Sequence, residues 1–356
     1  MASVSPDSHG AFKLAITQVI DEFVELNSQQ LLDISPEFLP IKNELLAFLH
    51  GGKRLRPAFA AAGYQVTGNP ISKSAIKAFA ALEFIQASAL IHDDLMDDSA
   101  ERRGRTTVHN VFAKLHTESG WQGDSKQYGD SAALLLGNLC LVWADQLFFE
   151  SGHDSADLLR AKPVFDDLRV EVMAGQYLDL LEQARQTAAV HEIKTIVLHK
   201  TAKYTVERPL HLGATMASAT KAQLQVLSDY GLAIGEAFQY RDDLLGTFGD
   251  SSVTGKPVGG DIREGKRTLL VALLHEKANP QDWAEFNSVL GNQQASDTQI
   301  NRATEILTDY KISDDVEITI NELLEKAMTA TSSVEISDAT RNELEALGHA
   351  AAFRSK

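Results

Sequence analysis

The chain has 356 residues, 44% apolar and 23% charged, the mixture of a soluble globular protein rather than a disordered one. Thirty-three basic residues against 49 acidic ones give a net charge of −16, which argues against nucleic acid as the main partner. The single cysteine, Cys140, cannot close an internal disulfide, so a reducing cytoplasmic setting is expected.

The start of the chain, Met1 to Asp7, has neither the positive head nor the apolar run of a signal peptide, and residues 1–10 are expected to be disordered. Helical periodicity then dominates and alternating strand patterns are absent. It predicts helices near 11–31, 38–49, 54–67, 72–98, 105–115, 127–150, 156–184, 190–217 and 220–249. Five more follow near 266–278, 281–291, 297–310, 313–333 and 338–351. The most membrane-like stretch, 131–149, is interrupted by Asn138 and Asp145, so it reads as a buried helix and no transmembrane segment is expected. Pro57 falls near a helix start, where proline is tolerated. Pro209 falls inside a predicted helix and implies a bend.

Two connections stand out. Residues 117–130 are polar and read as an exposed excursion. Residues 249–265 hold five glycines with Lys256, Pro257 and Asp261, which suits a mobile flap over a ligand. With no internal repeat and no low-complexity linker, the expectation is one all-α domain over 1–356.

Two acidic runs interrupt this helical pattern: Asp93-Asp94-Leu95-Met96-Asp97-Asp98, and Asp242-Asp243. Helical residues four apart share a face, so Asp93 and Asp97 point the same way, with Asp94 and Asp98 beside them. Carboxylates about 4 Å apart repel by roughly 4 kcal/mol at an effective dielectric near 20. Something cationic belongs among them, and magnesium that shares its shell with substrate phosphates is held by such a small carboxylate set. Gln239, Asp242 and Asp243 likewise share a face.

Two basic runs accompany them, Gly51-Gly52-Lys53-Arg54-Leu55-Arg56-Pro57 and Arg102-Arg103-Gly104-Arg105. Glycines beside clustered cations suit a phosphate site, since the backbone can approach closely while the cations pair with oxygens. Either run alone reads equally well as a solvated basic face; both together, beside two acidic runs in an acidic protein, favour the phosphate site. Lys200-Thr201-Ala202-Lys203-Tyr204 by itself reads as part of an ordinary amphipathic helix. His92 reads as a packed or hydrogen-bonded histidine, and with one cysteine and no spaced His/Cys set a zinc site is not expected.

In order, Gly-Gly-Lys-Arg-Leu-Arg-Pro (51–57), Asp-Asp-Leu-Met-Asp (93–97), Arg-Arg-Gly (102–104), Lys-Thr (200–201), Phe-Gln-Tyr-Arg-Asp-Asp-Leu-Leu-Gly (238–246) and the Gly-Lys (255–256) to Gly-Lys (265–266) flap resemble the trans-polyprenyl diphosphate synthases. That family includes the farnesyl and geranylgeranyl diphosphate synthases, and the likeness runs from about residue 40 to 270. It implies an all-α fold, with about ten core helices around a deep central cavity, and a homodimer. It also implies three magnesium ions on Asp93, Asp97 and Asp242, with Asp94 and Asp243 close by. Arg102, Lys200, Thr201, Gln239, Lys256 and Lys266 would serve the allylic diphosphate. Lys53, Arg56, Gln86 and Arg103 would bind isopentenyl diphosphate. The Thr201 hydroxyl, the Lys200 carbonyl and the Gln239 side-chain oxygen would steady the allylic cation. The chain departs from the farnesyl-type pattern at Gly246, where those relatives carry a third aspartate.

Product length becomes a steric question within this resemblance. Ala89 and Ser88 lie four and five residues before Asp93, at a level that aromatic side chains block in farnesyl synthases. With small groups there, Ile85, Phe84 and Leu82 become the next floor, one helical turn adding roughly 5.4 Å of depth. The expected product is geranylgeranyl diphosphate (C20), with farnesyl or longer-chain diphosphates as alternatives. A terpene cyclase would need one diphosphate site rather than two basic runs, and a non-catalytic partner subunit would have lost the charged residues that this chain keeps.

Overall fold

The computed structural model describes residues 6–186, 189–249, 259–333 and 335–353. Helix α1 (Pro6–Ile34) starts inside the stretch expected to be disordered; a proline at a first turn gives up an N–H that needs no partner there. Then come α2 (Leu39–Leu49), α3 (Leu55–Gln65), α4 (Lys73–Met96), α5 (Val108–Glu118), α6 (Ser125–Phe149), α7 (Ser155–Arg185) and α8 (Val190–Ile196). A π-helix, Val197–Glu207, leads into α9 (Arg208–Met216) and α10 (Lys221–Phe248). The chain closes with α11 (Gly260–Glu264), α12 (Leu269–Lys277), α13 (Pro280–Val289), α14 (Asp297–Asp309), α15 (Ile312–Thr331) and α16 (Asp338–Ala352).

The described residues group into two compact units. One is Met1–Pro163 with Leu212–Ala219, and the other is Val164–His211 with Thr220–Lys356.

In the first unit α4 packs most extensively on α6, with α1 and α3 also against it. Its apolar residues surround nearly the whole helix, as a fully buried helix requires. Phe79, Leu82, Phe84 and Ile85 are all sealed from solvent. Ser72 starts the helix by accepting from the Ala75 N–H, a cap that contributes about 1 kcal/mol. Phe84 meets Phe23 of α1 and Trp143 of α6 edge to face, with centroids 5.3 and 6.2 Å away. By length and composition both α4 and α6 could cross a membrane, but the apolar window of α4 is 67% buried within the structure. The expectation that 131–149 is simply buried needs correction. One face of α6 packs inward through Ala133, Leu136, Cys140 and Trp143, while Leu134, Leu135 and Val142 are half or more exposed.

Two further differences from the sequence reading bear on the site. Glu101–Arg102 and Arg105–Thr106 form a two-stranded antiparallel hairpin, too short for alternation to show in the sequence. Its turn residues Arg103 and Gly104 both have positive φ, 54° and 70°, the arrangement whose twist matches paired strands. The expected excursion at 117–130 shrinks to a short connection, because Asp124 caps α6 by accepting from the Lys126 and Gln127 N–H groups.

In the second unit α10 is the axis, packed on α15, the π-helix and α16. It begins in a reciprocal cap between Thr220 and Gln223 and buries Tyr230, Ile234 and Tyr240. The bend expected at Pro209 takes the form of the wide-turned π-helix just before it. The Arg208 N–H reaches back five residues to the Lys203 carbonyl, a register that makes room for the proline ring, which would clash within a regular turn.

Candidate active site

The first acidic run spans the end of α4. Asp93 and Asp94 are helical, but the helix stops at Met96, and Asp97 is its C-cap, its N–H bonded to the Asp93 carbonyl. Asp98 has φ of 50°, and the Ser99 N–H closes on the Asp94 carbonyl at 2.9 Å. Asp98 therefore leaves the helical face on which the sequence placed it. It pairs instead with Lys126, which also holds Asp130.

The hairpin that follows folds back on this run. Arg102 Nε donates to Asp94 Oδ1 at 2.7 Å, and its terminal nitrogen donates to Asp93 Oδ2 at 3.1 Å. Burial pulls the Arg102 pKa down, but Asp94, Asp93 and Asp97 outweigh that and hold it above the ordinary value. Asp94 is 1% exposed, so this guanidinium supplies part of the positive charge that the run demands.

Arg103 serves a different group. Its guanidinium lies against Gly52, where an added Cβ would sit 3.4 Å from a terminal nitrogen. Burial lowers its pKa, and Arg102, Arg56 and Arg54 lower it further, Glu83 opposing them. Such a crowd of guanidinium groups favours an anion beside it. Arg54, for which the sequence suggested no separate role, organises the cluster. It is 4% exposed, donates to Glu83 at 2.6 Å and to the Leu49 carbonyl at 2.7 Å, and fixes the junction between the loop that carries Lys53 and the first turn of α3, which carries Arg56. Lys53 is exposed and Arg56 half-buried. Gln86 lies one turn along α4 from Glu83, on the same face.

In the second unit the π-helix presents Lys200 and Thr201, and two neighbours fix it. A Cβ at Gly175 of α7 would sit 2.4 Å from the Lys200 nitrogen, and one at Gly235 of α10 would sit 2.3 Å from the Ala202 Cα. Both glycines are there because backbone meets backbone. Lys200 Nζ then bonds Asp179 Oδ2 on α7 at 2.6 Å. Thr201 Oγ1 donates to Gln239 Oε1 at 2.5 Å, and Gln239 Nε2 donates to Asp243 Oδ1 at 2.8 Å. With its proton committed to Gln239, the Thr201 oxygen keeps lone pairs for a positive group. Gln239 thus links Thr201 to Asp243, and its oxygen, while accepting from Thr201, keeps a second lone pair.

Asp242 is exposed and Asp243 is 5% exposed. Burial, then the nearby Asp261 and Asp242, push the Asp243 pKa well above the carboxylate range, against the hydrogen bond from Gln239. Lys266 bonds Asp261 at 3.2 Å and Glu264 at 2.7 Å. Lys256 lies outside the described residues.

Asp179 and its neighbour Gln176 escaped the sequence reading. The signal is a Gly175-Gln176 pair with Asp179 three residues on, which puts both polar groups on one face of α7. Among the described residues the Gln176 side-chain nitrogen, which is buried, meets no hydrogen-bond acceptor.

The donor set fits magnesium. It is made of carboxylate oxygens alone, and burial together with the neighbouring Asp261 and Asp242 disfavours the Asp243 charge that a divalent cation would stabilise. Among the described residues no three acidic or histidine side chains are arranged to enclose an ion by themselves.

Comparison with known proteins agrees with these features. The chain is 34% identical over 264 residues to a short chain isoprenyl diphosphate synthase of Methanothermobacter thermautotrophicus, covering 74% of this chain and 75% of that protein. It is 32% identical over 298 residues to a geranylfarnesyl diphosphate synthase of Aeropyrum pernix, covering 83% and 87%. Its fold superposes on a geranylgeranyl pyrophosphate synthase of Corynebacterium glutamicum, solved with isoprenyl diphosphate and magnesium. There the TM-score is 0.90 and the identity 36%, over 96% of this chain and 98% of that one. Residues 41–307 match the polyprenyl synthetase family, and the chain belongs to that family.

Proposed function

We propose that the protein condenses isopentenyl diphosphate with allylic diphosphates, with geranylgeranyl diphosphate as its main product. One observation carries this reading. Neighbouring residues of one hairpin take different partners, Arg102 the aspartates and Arg103 the guanidinium cluster at Gly52. An enzyme that joins two diphosphates needs both.

In this reading Asp93, Asp97 and Asp242 hold magnesium, with Asp94 and Asp243 behind them, three ions in all. Magnesium held there would supply positive charge to offset the charge of the allylic diphosphate. Arg102, Lys200, Lys256 and Lys266 bind that diphosphate's oxygens. Its carbon–oxygen bond breaks and the electron pair leaves with the diphosphate. The Thr201 oxygen and the Lys200 carbonyl face the resulting allylic charge, as prearranged dipoles do in an active site. Lys53, Arg56, Gln86 and Arg103 hold isopentenyl diphosphate while its double bond forms the new carbon–carbon bond. The released diphosphate then takes the proton.

The C20 assignment rests on α4. Ala89, Ile85 and Leu82 lie four, eight and eleven residues before Asp93 and share its face. Ala89 leaves that level open, and Ile85 and Leu82 are the first bulky groups beneath it. Phe84 and Ser88 belong to another face: Phe84 is engaged with Trp143, and Ser88 shares its side with His92, which bonds the Leu134 carbonyl of α6. The floor expected from sequence therefore reduces to Ile85 and Leu82.

A second copy of the chain is proposed to cover the apolar face of α6, where Leu135, Val142 and Phe149 recur every seven residues beside Leu134. The buried Cys140, its thiol pushed up to about 12, is inert and suits a cytoplasmic setting. Incubation with magnesium, labelled isopentenyl diphosphate and each allylic primer, followed by chromatography, tests the proposal. A C20 product supports it, and failure of any chain to lengthen overturns it.

A further inference from the structure

Glu171, Gly175 and Asp179 follow one another at four-residue spacing on α7 and form one stripe of that helix. All three meet the π-helix. Asp179 holds the Lys200 ammonium, and Gly175 admits the Lys200 backbone, whose Cα would lie 2.7 Å from a Cβ at that position. Glu171 takes the other end. Its Oε1 accepts from Lys203 Nζ at 2.6 Å and from a terminal nitrogen of Arg208 at 2.7 Å, and its Oε2 accepts from Arg208 Nε at 2.6 Å. The side chains of Lys203, Glu171 and Arg208 are 19%, 18% and 17% exposed, so solvent screens this contact only in part.

Lys203 and Arg208 are also the two residues that a π-type bond joins, the Arg208 N–H donating to the Lys203 carbonyl. In an α-helix of 3.6 residues per turn, residues five apart lie roughly 140° apart around the axis, too far round for one carboxylate to clasp both. The wider turn of a π-helix, closed by a bond to the fifth residue, brings them back to one side. The Glu171 contact therefore exists only in the π register. Pro209 opens the ladder, but a proline by itself selects no register over a plain kink. Slipping by one residue would turn the preceding part of the helix by roughly 100°, and Lys200 and Thr201 with it.

We propose that Glu171 is a positioning residue for the reaction, a carboxylate clamp on Lys203 and Arg208 that holds the π register and so keeps Thr201 on Gln239 and the Lys200 carbonyl toward the allylic substrate. The inference rests on the reading that Lys200 and Thr201 serve the allylic diphosphate. It has two competitors. In one, the ion pairs only stabilise the fold. In the other, the Lys203 ammonium itself attracts diphosphate and Glu171 merely restrains it.

Hydrogen exchange on the full chain, read by mass spectrometry, reports the register without reference to activity. In Glu171→Gln the amides of residues 197–208 should exchange about tenfold or more faster than in wild type, while those of α13 keep their wild-type rate. Steady-state kinetics, at a temperature where every variant is folded, should show kcat lowered about tenfold or more with the isopentenyl KM unchanged. Lys203→Met should lower kcat in the same way, and the double variant should be no worse than the poorer single one, since both release one clamp. Wild-type protection of 197–208 in Glu171→Gln, or a wild-type kcat despite faster exchange, overturns the inference. A rise in exchange shared equally by α13 overturns it in favour of a stabilising ion pair. Additive losses, or a raised kcat in Glu171→Gln, overturn it in favour of Lys203 acting on diphosphate directly. A wild type that lengthens no prenyl chain removes the assigned role of Lys200 and Thr201, and the positioning role with it, even where exchange shows the clamp intact.

Discussion

Lys200 and Asp179 form an ion pair at 2.6 Å that joins the π-helix to α7 and decides where the Lys200 ammonium points. The Lys200 side chain is 27% exposed and that of Asp179 is 15% exposed, so the pair is partly shielded from solvent screening. Asp179→Asn should therefore misplace Lys200. We expect kcat to fall about tenfold to a hundredfold, as catalytic misplacement of about 1 Å does, with the isopentenyl KM unchanged. Asp179→Glu should recover part of the loss. Steady-state kinetics with each substrate varied in turn checks this, and normal kcat in Asp179→Asn would refute it.

Asp93→Ala and Asp242→Ala should each lower turnover by about a hundredfold or more, the scale of a lost electrostatic stabiliser. Asp242 is exposed, so its removal should leave the melting temperature without ligand unchanged. Normal turnover in either variant would remove that residue from the metal site.

Ala89→Phe should shorten the product toward C15, because the new ring fills the level below Asp93 on the same helical face. Ser88→Phe should act differently. Ser88 is 3% exposed on a face turned to α6, and overpacking there should destabilise the protein by about 1–3 kcal/mol. Product chromatography and unfolding of both variants decide the matter; an unchanged product in Ala89→Phe would refute the depth argument.

Glu83→Ala should be the most damaging of these changes to stability. It leaves the Arg54 guanidinium buried without its 2.6 Å partner, and breaking one side of such a pair costs about 3–5 kcal/mol. Chemical denaturation measures it. A loss below about 1 kcal/mol would show that Arg54 finds another partner or reaches water.

Glu171 gives a pH signature. Burial alone would raise its pKa, but hydrogen bonds from Arg208 and Lys203 overcome that and bring it from 4.5 down to about 2. A carboxylate depressed in the folded state stabilises fully above its unfolded pKa and loses that contribution as pH falls toward the folded value. Wild type should exceed Glu171→Gln in stability by about 1 kcal/mol at neutral pH, after allowance for solvent screening. The gap should close between pH 4.5 and 2. A gap independent of pH would mean that packing, not charge, accounts for it.

The helical elements were largely legible because their apolar residues recur at helical spacing and their ends carry caps such as Ser72, Asp124 and Thr220. The elements missed are those without a period. A hairpin of two residues per strand offers no alternation to count, and the π-helix at Val197–Glu207 differs from an α-helix only in the register of its hydrogen bonds. Among the site residues, the charged runs announced themselves. Asp179 did not, because a lone aspartate on a polar helix looks like any solvated charge until Lys200 is seen beside it.

Sequence by itself therefore determined the all-α character, the family and the inventory of acidic and basic groups, since periodicity and motif order are properties of the chain alone. Tertiary structure decided the partners. It divided Arg102 from Arg103, seated Phe84 against Phe23 and Trp143, and brought Asp261 over Gly246. Those outcomes depend on hairpin twist, helix rotation and the approach of segments distant in sequence, none of which is encoded in local spacing.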